Sequence, residues 1–158
     1  MSIYSKYIVS WIINKGCGYK PIQKQKEKVL PFCNGKVLEI GAGSGLNFPL
    51  YQKDKVSTIY ALEPDDEMLH QAQIKAATLD LEIKFLHSFA ENIPLASSSV
   101  DLVLLTYKLC SIPNPAMALK EMRRVSKADG KLVFAEHGEA PDRKVNRWQN
   151  LLNLLATL

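Results

Sequence analysis

The feature that most constrains this chain is a glycine-rich run placed directly behind a short apolar strand. Val37-Leu38-Glu39-Ile40 reads as that strand, and Gly41-Ala42-Gly43-Ser44-Gly45 follows without a spacer. Glycines at this point let the backbone turn tightly and approach a ligand closely, because a side chain would block either the positive φ or the contact. A helix is expected from Asn47, with Phe48, Leu50 and Tyr51 offering apolar faces. Thr58 to Leu62 reads as a second strand ending at Glu63-Pro64, and Asp65 as the cap of a helix carrying Met68, Leu69, Ala72, Ile74 and Ala76.

The alternation continues. Leu81 to Leu86 has the polar-apolar period of an edge strand, and Val100 to Thr106 is apolar enough to be covered on both faces. Asn114-Pro115 supplies a cap and an N1 proline for a helix turning Ala116, Leu119, Met122 and Val125 inward. Asp129-Gly130 reads as a turn into a last strand, Lys131 to Glu136. Strands and helices in this order predict an α/β fold, a doubly wound parallel sheet with helices on both faces and right-handed crossovers. Ligands of such sheets bind beyond the carboxyl ends of the strands, so the chemistry is expected just after each strand.

Ahead of the sheet, Ile3, Tyr4, Tyr7, Ile8, Trp11 and Ile12 repeat at helical spacing. This amphipathic helix is read as folding onto its own domain, with peripheral membrane contact as the competing reading. Gly16 and Gly18 break it, and a lysine-rich helix from Ile22 to Leu30 stops before Pro31. The expected domains are therefore 1–35, N-terminal helices that cap the site, and 36–158, the ligand-binding core.

Composition excludes several classes. With 158 residues, 47% of them hydrophobic, the chain can bury a core without disulfides or a structural metal. Twenty Lys and Arg against 16 Asp and Glu give +4, spread in small groups that suit solvated helix faces better than a nucleic-acid stripe. The three cysteines, Cys17, Cys33 and Cys110, lack metal-ligand spacing, so no metal is expected, and Cys110 reads as a small buried hydrophobe. A cytoplasmic location is the expectation, and no apolar run reaches membrane-spanning length.

Glu63 gives the glycine loop its meaning. A carboxylate at the end of the second strand can accept hydrogen bonds from both ribose hydroxyls, so loop and acid together predict an adenosine-type cofactor. A dinucleotide loop, G-x-G-x-x-G, would need glycine at 46, where Leu46 stands; the third glycine comes one residue earlier, at Gly45. Glu39-x-Gly41-x-Gly43-x-Gly45 resembles the first motif of class I S-adenosylmethionine-dependent methyltransferases. Phe89-Ala90-Glu91-Asn92-Ile93-Pro94-Leu95, Ser99-Val100-Asp101-Leu102-Val103 and Leu119 to Val125 ending at Gly130 resemble later segments of the same family. Gly45-Leu46-Asn47-Phe48 with Tyr51, Leu109-Cys110-Ser111-Ile112, and Glu136-His137 with Trp148-Gln149 look like the branch that includes thiol S-methyltransferases.

The resemblance implies a Rossmann-like sheet of about five strands in order 3-2-1-4-5, here without the usual C-terminal antiparallel pair. It implies S-adenosylmethionine as cofactor, S-adenosylhomocysteine as product, and a small-molecule acceptor: a thiol, hydroxyl or quinone-type compound. The expected cofactor-binding residues are Glu39, Gly41, Ala42, Gly43, Gly45, Asn47, Glu63, Pro64, Met68, Ala90, Glu91, Thr106 and Tyr107. Glu39 is to orient the loop or the cofactor's amino group, Glu63 the ribose, and Met68 to pack on the adenine. Phe89 replaces the family's adenine-contacting aspartate, leaving adenine to stacking and to backbone near Ala90. His137 is the candidate catalytic base, with a surface or capping role as the competing reading; His70 and His87 receive no role. Two other functions stay open: a nicotinamide-dinucleotide oxidoreductase, or a truncated, catalytically incompetent methyltransferase acting as a nucleotide-binding or interaction module. The apolar segment from Trp148 to Leu158 and an exposed fifth strand predict a homodimer.

Overall fold

The computed structural model describes residues 20–136. The amphipathic segment near Ile3 to Ile12, Cys17, His137 and the stretch from Trp148 to Leu158 lie outside the described residues. Five strands form one parallel sheet: β1 (Gly35–Ile40), β2 (Val56–Leu62), β3 (Ile83–Leu86), β4 (Val100–Thr106) and β5 (Ser126–Ala135). Their order is β3-β2-β1-β4-β5, as expected, so the order reverses beside β1 and opens a crevice at its carboxyl end. Three helices are described: α1 (Lys20–Val29), α2 (Asp66–Ala76) and α3 (Pro115–Val125).

Strand alternation divides the core in two. Val37, Ile59, Leu102 and Leu104 face one side, where Leu30, Phe48 and Ala72 cover them. Leu38, Ile40, Leu62, Val103 and Leu105 face the other, under Ala118, Met122, Val125 and Ile93. Each fully buried leucine or isoleucine contributes about 2 kcal/mol of hydrophobic stabilisation. Both helix caps read from the sequence form: Met68 N donates to Asp65 Oδ1 (3.0 Å) and Met117 N to Asn114 Oδ1 (3.1 Å).

Several local expectations are corrected. No α-helix follows the glycine loop; Phe48–Leu50 make one 3-10 turn. Few residues separate Gly45 from the turn at Gln52 to Lys55, so Phe48 and Tyr51 fill the space that a crossover helix would cover. Strand β3 starts at Ile83 rather than Leu81. On α2, Ile74 faces solvent, and on α3 the buried stripe is Ala118, Met122 and Val125, with Ala116 and Leu119 exposed. The Asp129-Gly130 turn is absorbed into β5: Val100 pairs with Ser126 and Leu102 already with Lys131, so Lys127 to Gly130 bulge out opposite Asp101.

One clamp fixes the segment between β3 and β4. Arg124 Nη1 donates to Leu95 O and Nη2 to Ile93 O, both at 2.8 Å, while its Nε and Nη2 grip the Glu121 carboxylate at 2.6 and 2.7 Å. Glu121 Oε2 also accepts from Ile93 N at 3.0 Å. These bonds anchor the loop that follows Ala90 to α3. Arg124→Ala should lower unfolding stability by about 1–3 kcal/mol in denaturant titration. Arg124→Lys should recover little of it, because one ammonium cannot reproduce a planar fork.

Candidate cofactor site

Gly41, Gly43 and Gly45 all adopt left-handed backbone, with φ of 64°, 57° and 71°. At Gly45 a Cβ would lie 2.5 Å from the Phe48 ring, so glycine is needed for packing as well as for the turn. At Gly43 a Cβ would meet nothing within 4 Å, so the space in front of it is open to a ligand. Ala42 N donates to Leu62 O (3.0 Å), stitching the loop to the end of β2.

That stitch brings Glu63 under the loop. Its Oε2 accepts from Gly43 N at 2.9 Å and its Oε1 from Asp65 N at 3.1 Å, and the residue is buried. The two expected acids thus stand one just past the end of β2 and one within β1.

Glu39 is 1% exposed and both its oxygens are used: Oε1 accepts from Asn47 Nδ2 (2.7 Å) and Oε2 from the Tyr51 hydroxyl (2.8 Å). Of its two expected roles, the structure supports orienting the loop. Burial pushes its carboxyl up to about 7, against the hydrogen bonds from Tyr51 and Asn47 and the charge of Lys26. The same environment raises its neighbours: burial, then the Glu39 charge, pushes the Cys33 thiol up to about 12, and the Tyr51 phenol well above its usual value. Asn47 Nδ2 donates a second bond to Thr106 Oγ1 (3.1 Å), which ties the loop to the tip of β4. Asn47 Oδ1 is buried and has no hydrogen-bond partner among the described residues.

Gly41, Gly43, Asn47, Met68, Thr106 and Tyr107 gather around one cavity of about 40 Å³. Ala42 lines it as well, whereas Glu39, Gly45, Glu63, Pro64, Ala90 and Glu91 are not among its lining residues. Pro64 O instead lies 2.9 Å from His87 Nε2, Glu91 Oε1 accepts from Asn114 N at 3.0 Å, and Phe89 is exposed. Ser44, Leu46, Lys26 and Lys108 also line the cavity and were not among the expected residues. Helical spacing ahead of Val29 and Leu30 was the available signal for Lys26, and position just past β4 the signal for Lys108. A second, open cleft of about 730 Å³ lies between α1 and the end of β5, lined by Lys28, Val29, Phe134 and Glu136, and meets the first at Tyr107. Cys110 is exposed, contrary to expectation, because the 3-10 turn Leu109–Ser111 lifts it out of the fold.

The residues fit an adenosyl amino-acid ligand. Gly43 leaves backbone open to contact, Glu63 offers a buried carboxylate beneath it, and Asn47 presents an acceptor still lacking a donor such as an ammonium. Among the described residues no group of three or more His, Cys, Asp or Glu could hold a metal ion.

The profile of the family described as "Methyltransferase domain" matches residues 38–134. The chain is 34% identical over 119 residues to thiol S-methyltransferase TMT1B of Rattus norvegicus, covering 73% of this chain and 48% of that one. It is 32% identical over 120 residues to the ubiquinone/menaquinone biosynthesis C-methyltransferase UbiE of Rickettsia prowazekii, covering 72% and 48%. The chain thus spans about half the length of the curated relatives it matches. Among solved structures, a SAM-dependent methyltransferase from Aquifex aeolicus superposes with a TM-score of 0.61 at 26% identity, over 87% of this chain and 78% of that one.

The raised Glu39 carboxyl has a measurable consequence. Between its ordinary value of 4.5 and about 7 the folded state holds a proton that the unfolded chain has released, so this group's contribution falls as pH rises through that window. Glu39→Gln should remove the effect. Denaturant unfolding at pH 5 and pH 7 should show the parent losing stability relative to the variant as pH rises, with a slope difference up to about 1.4 kcal/mol per pH unit. Parallel pH profiles would refute it.

Proposed function

Because the chain belongs to the methyltransferase domain family, we propose that it transfers a methyl group from S-adenosylmethionine to a small-molecule acceptor, with S-adenosylhomocysteine as product. The observation that carries this reading is the open left-handed Gly43 held by its N–H against the buried carboxylate of Glu63. Bound S-adenosylmethionine supplies a methyl group already activated on a sulfonium. The protein's share is then placement and exclusion of water.

In this reading the Gly41 to Gly45 backbone holds the amino-acid half, with Asn47 Oδ1 accepting from its ammonium. Glu63 accepts from the ribose hydroxyls, and Met68 packs beside the base. Thr106 and Tyr107 face the reacting end. Lys26 on the cavity wall supports the first 35 residues as a cap over the site. The second cleft, joined at Tyr107, is the place for the acceptor. Thiol, hydroxyl and quinone-type acceptors all remain in scope, and the names of the relatives favour thiols and quinone precursors. A thiol reacts as its thiolate and asks little of a base. For acceptors that need one, His137 is the proposed base.

Leu132 and Phe134 are 45% and 62% exposed on β5, an edge strand among the described residues, which supports a homodimer that light scattering would detect. No described helix is long and apolar enough to cross a membrane. A cytoplasmic protein acting without nucleic acid fits the small, dispersed charge groups.

Calorimetry with S-adenosylhomocysteine and with NAD tests the reading. The former should bind and the latter should not; binding of NAD alone would sink it in favour of an oxidoreductase. A methyl-transfer screen against small thiols, phenols and quinone precursors then identifies the acceptor, and cofactor binding without any turnover would favour a non-catalytic module. Gly43→Ala should still fold, at a cost of about 1–2 kcal/mol for left-handed backbone, yet lose about tenfold or more in S-adenosylhomocysteine affinity as its methyl enters the ligand's space.

A further inference from the structure

Tyr107 adopts φ 54°, a left-handed turn that carries the next residue back over the glycine loop. The stem carbons of Lys108 lie 2.6–2.7 Å from where a Cβ on Gly41 would be, so the stem rests flat on the Gly41 backbone. Its start is fixed, since the N–H groups of Lys108 and Leu109 both donate to Glu136 Oε1 at 2.9 and 3.1 Å. Its end is also held: Nζ is 3.8 Å from Glu63 Oε2, with the glutamate side chain 4% and the lysine side chain 30% exposed. Lys108 lines a cavity of about 40 Å³, whereas ligands of this kind need roughly 300 Å³ or more.

We propose that Lys108 is a gate residue that holds Glu63 when no adenosyl ligand is bound and competes with that ligand's ribose hydroxyls for the carboxylate. The proposal rests on the cofactor reading above. Three physical conflicts require the side chain to leave. The stem covers Gly41, which the ligand must approach; the ammonium neutralises the acid that the ribose must reach; and a sulfonium would meet a like charge at close range. The exit is short, because the lysine already reaches solvent. A closed gate taxes affinity by the fraction of open molecules, so a gate closed nine-tenths of the time weakens binding about tenfold.

Two measurements on the whole chain test this. In amine acylation read by mass spectrometry, saturating S-adenosylhomocysteine should raise the labelling of Lys108 while leaving exposed Lys53 unchanged; protection of Lys108 would overturn the gate. In calorimetry, Lys108→Ala should bind S-adenosylhomocysteine about tenfold more tightly than the parent. Added salt, which screens the Lys108–Glu63 pair, should strengthen binding by the parent and not by the variant. Equal or weaker binding by the variant overturns the gate and leaves the cofactor reading intact. Absence of binding by parent and variant alike overturns both.

Discussion

The buried carboxylate of Glu39 is the constraint around which the rest of the site is arranged. A carboxyl with 1% exposure cannot be hydrated, so each of its oxygens must find a donor within the protein. It finds one in Asn47 at the end of the glycine loop and another in Tyr51 after the 3-10 turn. Since Asn47 also reaches Thr106, one acid fixes the geometry of β1, of the loop that leaves it, and of the tip of β4. The loop's left-handed turns thus have a chemical anchor on both sides: Glu39 beneath its exit and Glu63 against Gly43.

This arrangement separates two roles that a motif alone runs together. Glu39 acts entirely inside the protein, positioning groups that could touch a ligand. Glu63 keeps a carboxylate next to the loop backbone, where a ligand and a lysine can both claim it. Asn47 converts the first role into the second, because satisfying Glu39 and Thr106 with its amide nitrogen leaves its oxygen without a donor among the described residues. A cleft that ends in an acceptor without a donor selects ligands that bring one.

Much of the architecture could be read from the residues. The presence of the strands and both helix caps follow from period, β-branching and short polar caps, all of which are local, whereas the strand order comes from the resemblance to the methyltransferase family. The failures share a cause. Phe48, Leu50 and Tyr51 have helix-like spacing, but the chain between Gly45 and β2 is too short for a crossover helix, and their apolar surface is spent directly on the sheet. Leu119 fits a buried stripe by spacing and lies outside it by a fraction of a turn. In the site, Gly41, Gly43, Asn47, Met68, Thr106 and Tyr107 converge because the parallel sheet forces strand ends together. Glu91 does not, because its carboxylate is engaged by Asn114 on the approach to α3. Lys108 stands just past β4 in the sequence, but its placement over the glycine loop depends on a left-handed turn at a non-glycine residue, which no local preference announces.

The absence of a helix between β1 and β2 has a wider consequence. On that face of the sheet, α1 lies against β5, and Leu30 and Cys33 just beyond it complete the core, while Lys26 from the same helix forms part of the cleft wall. A single amphipathic segment therefore serves as both roof of the core and wall of the binding site. Occupancy of the cleft and attachment of this segment are then one linked equilibrium: a ligand tightens the N-terminal half of the fold by the same free energy with which that half tightens the ligand.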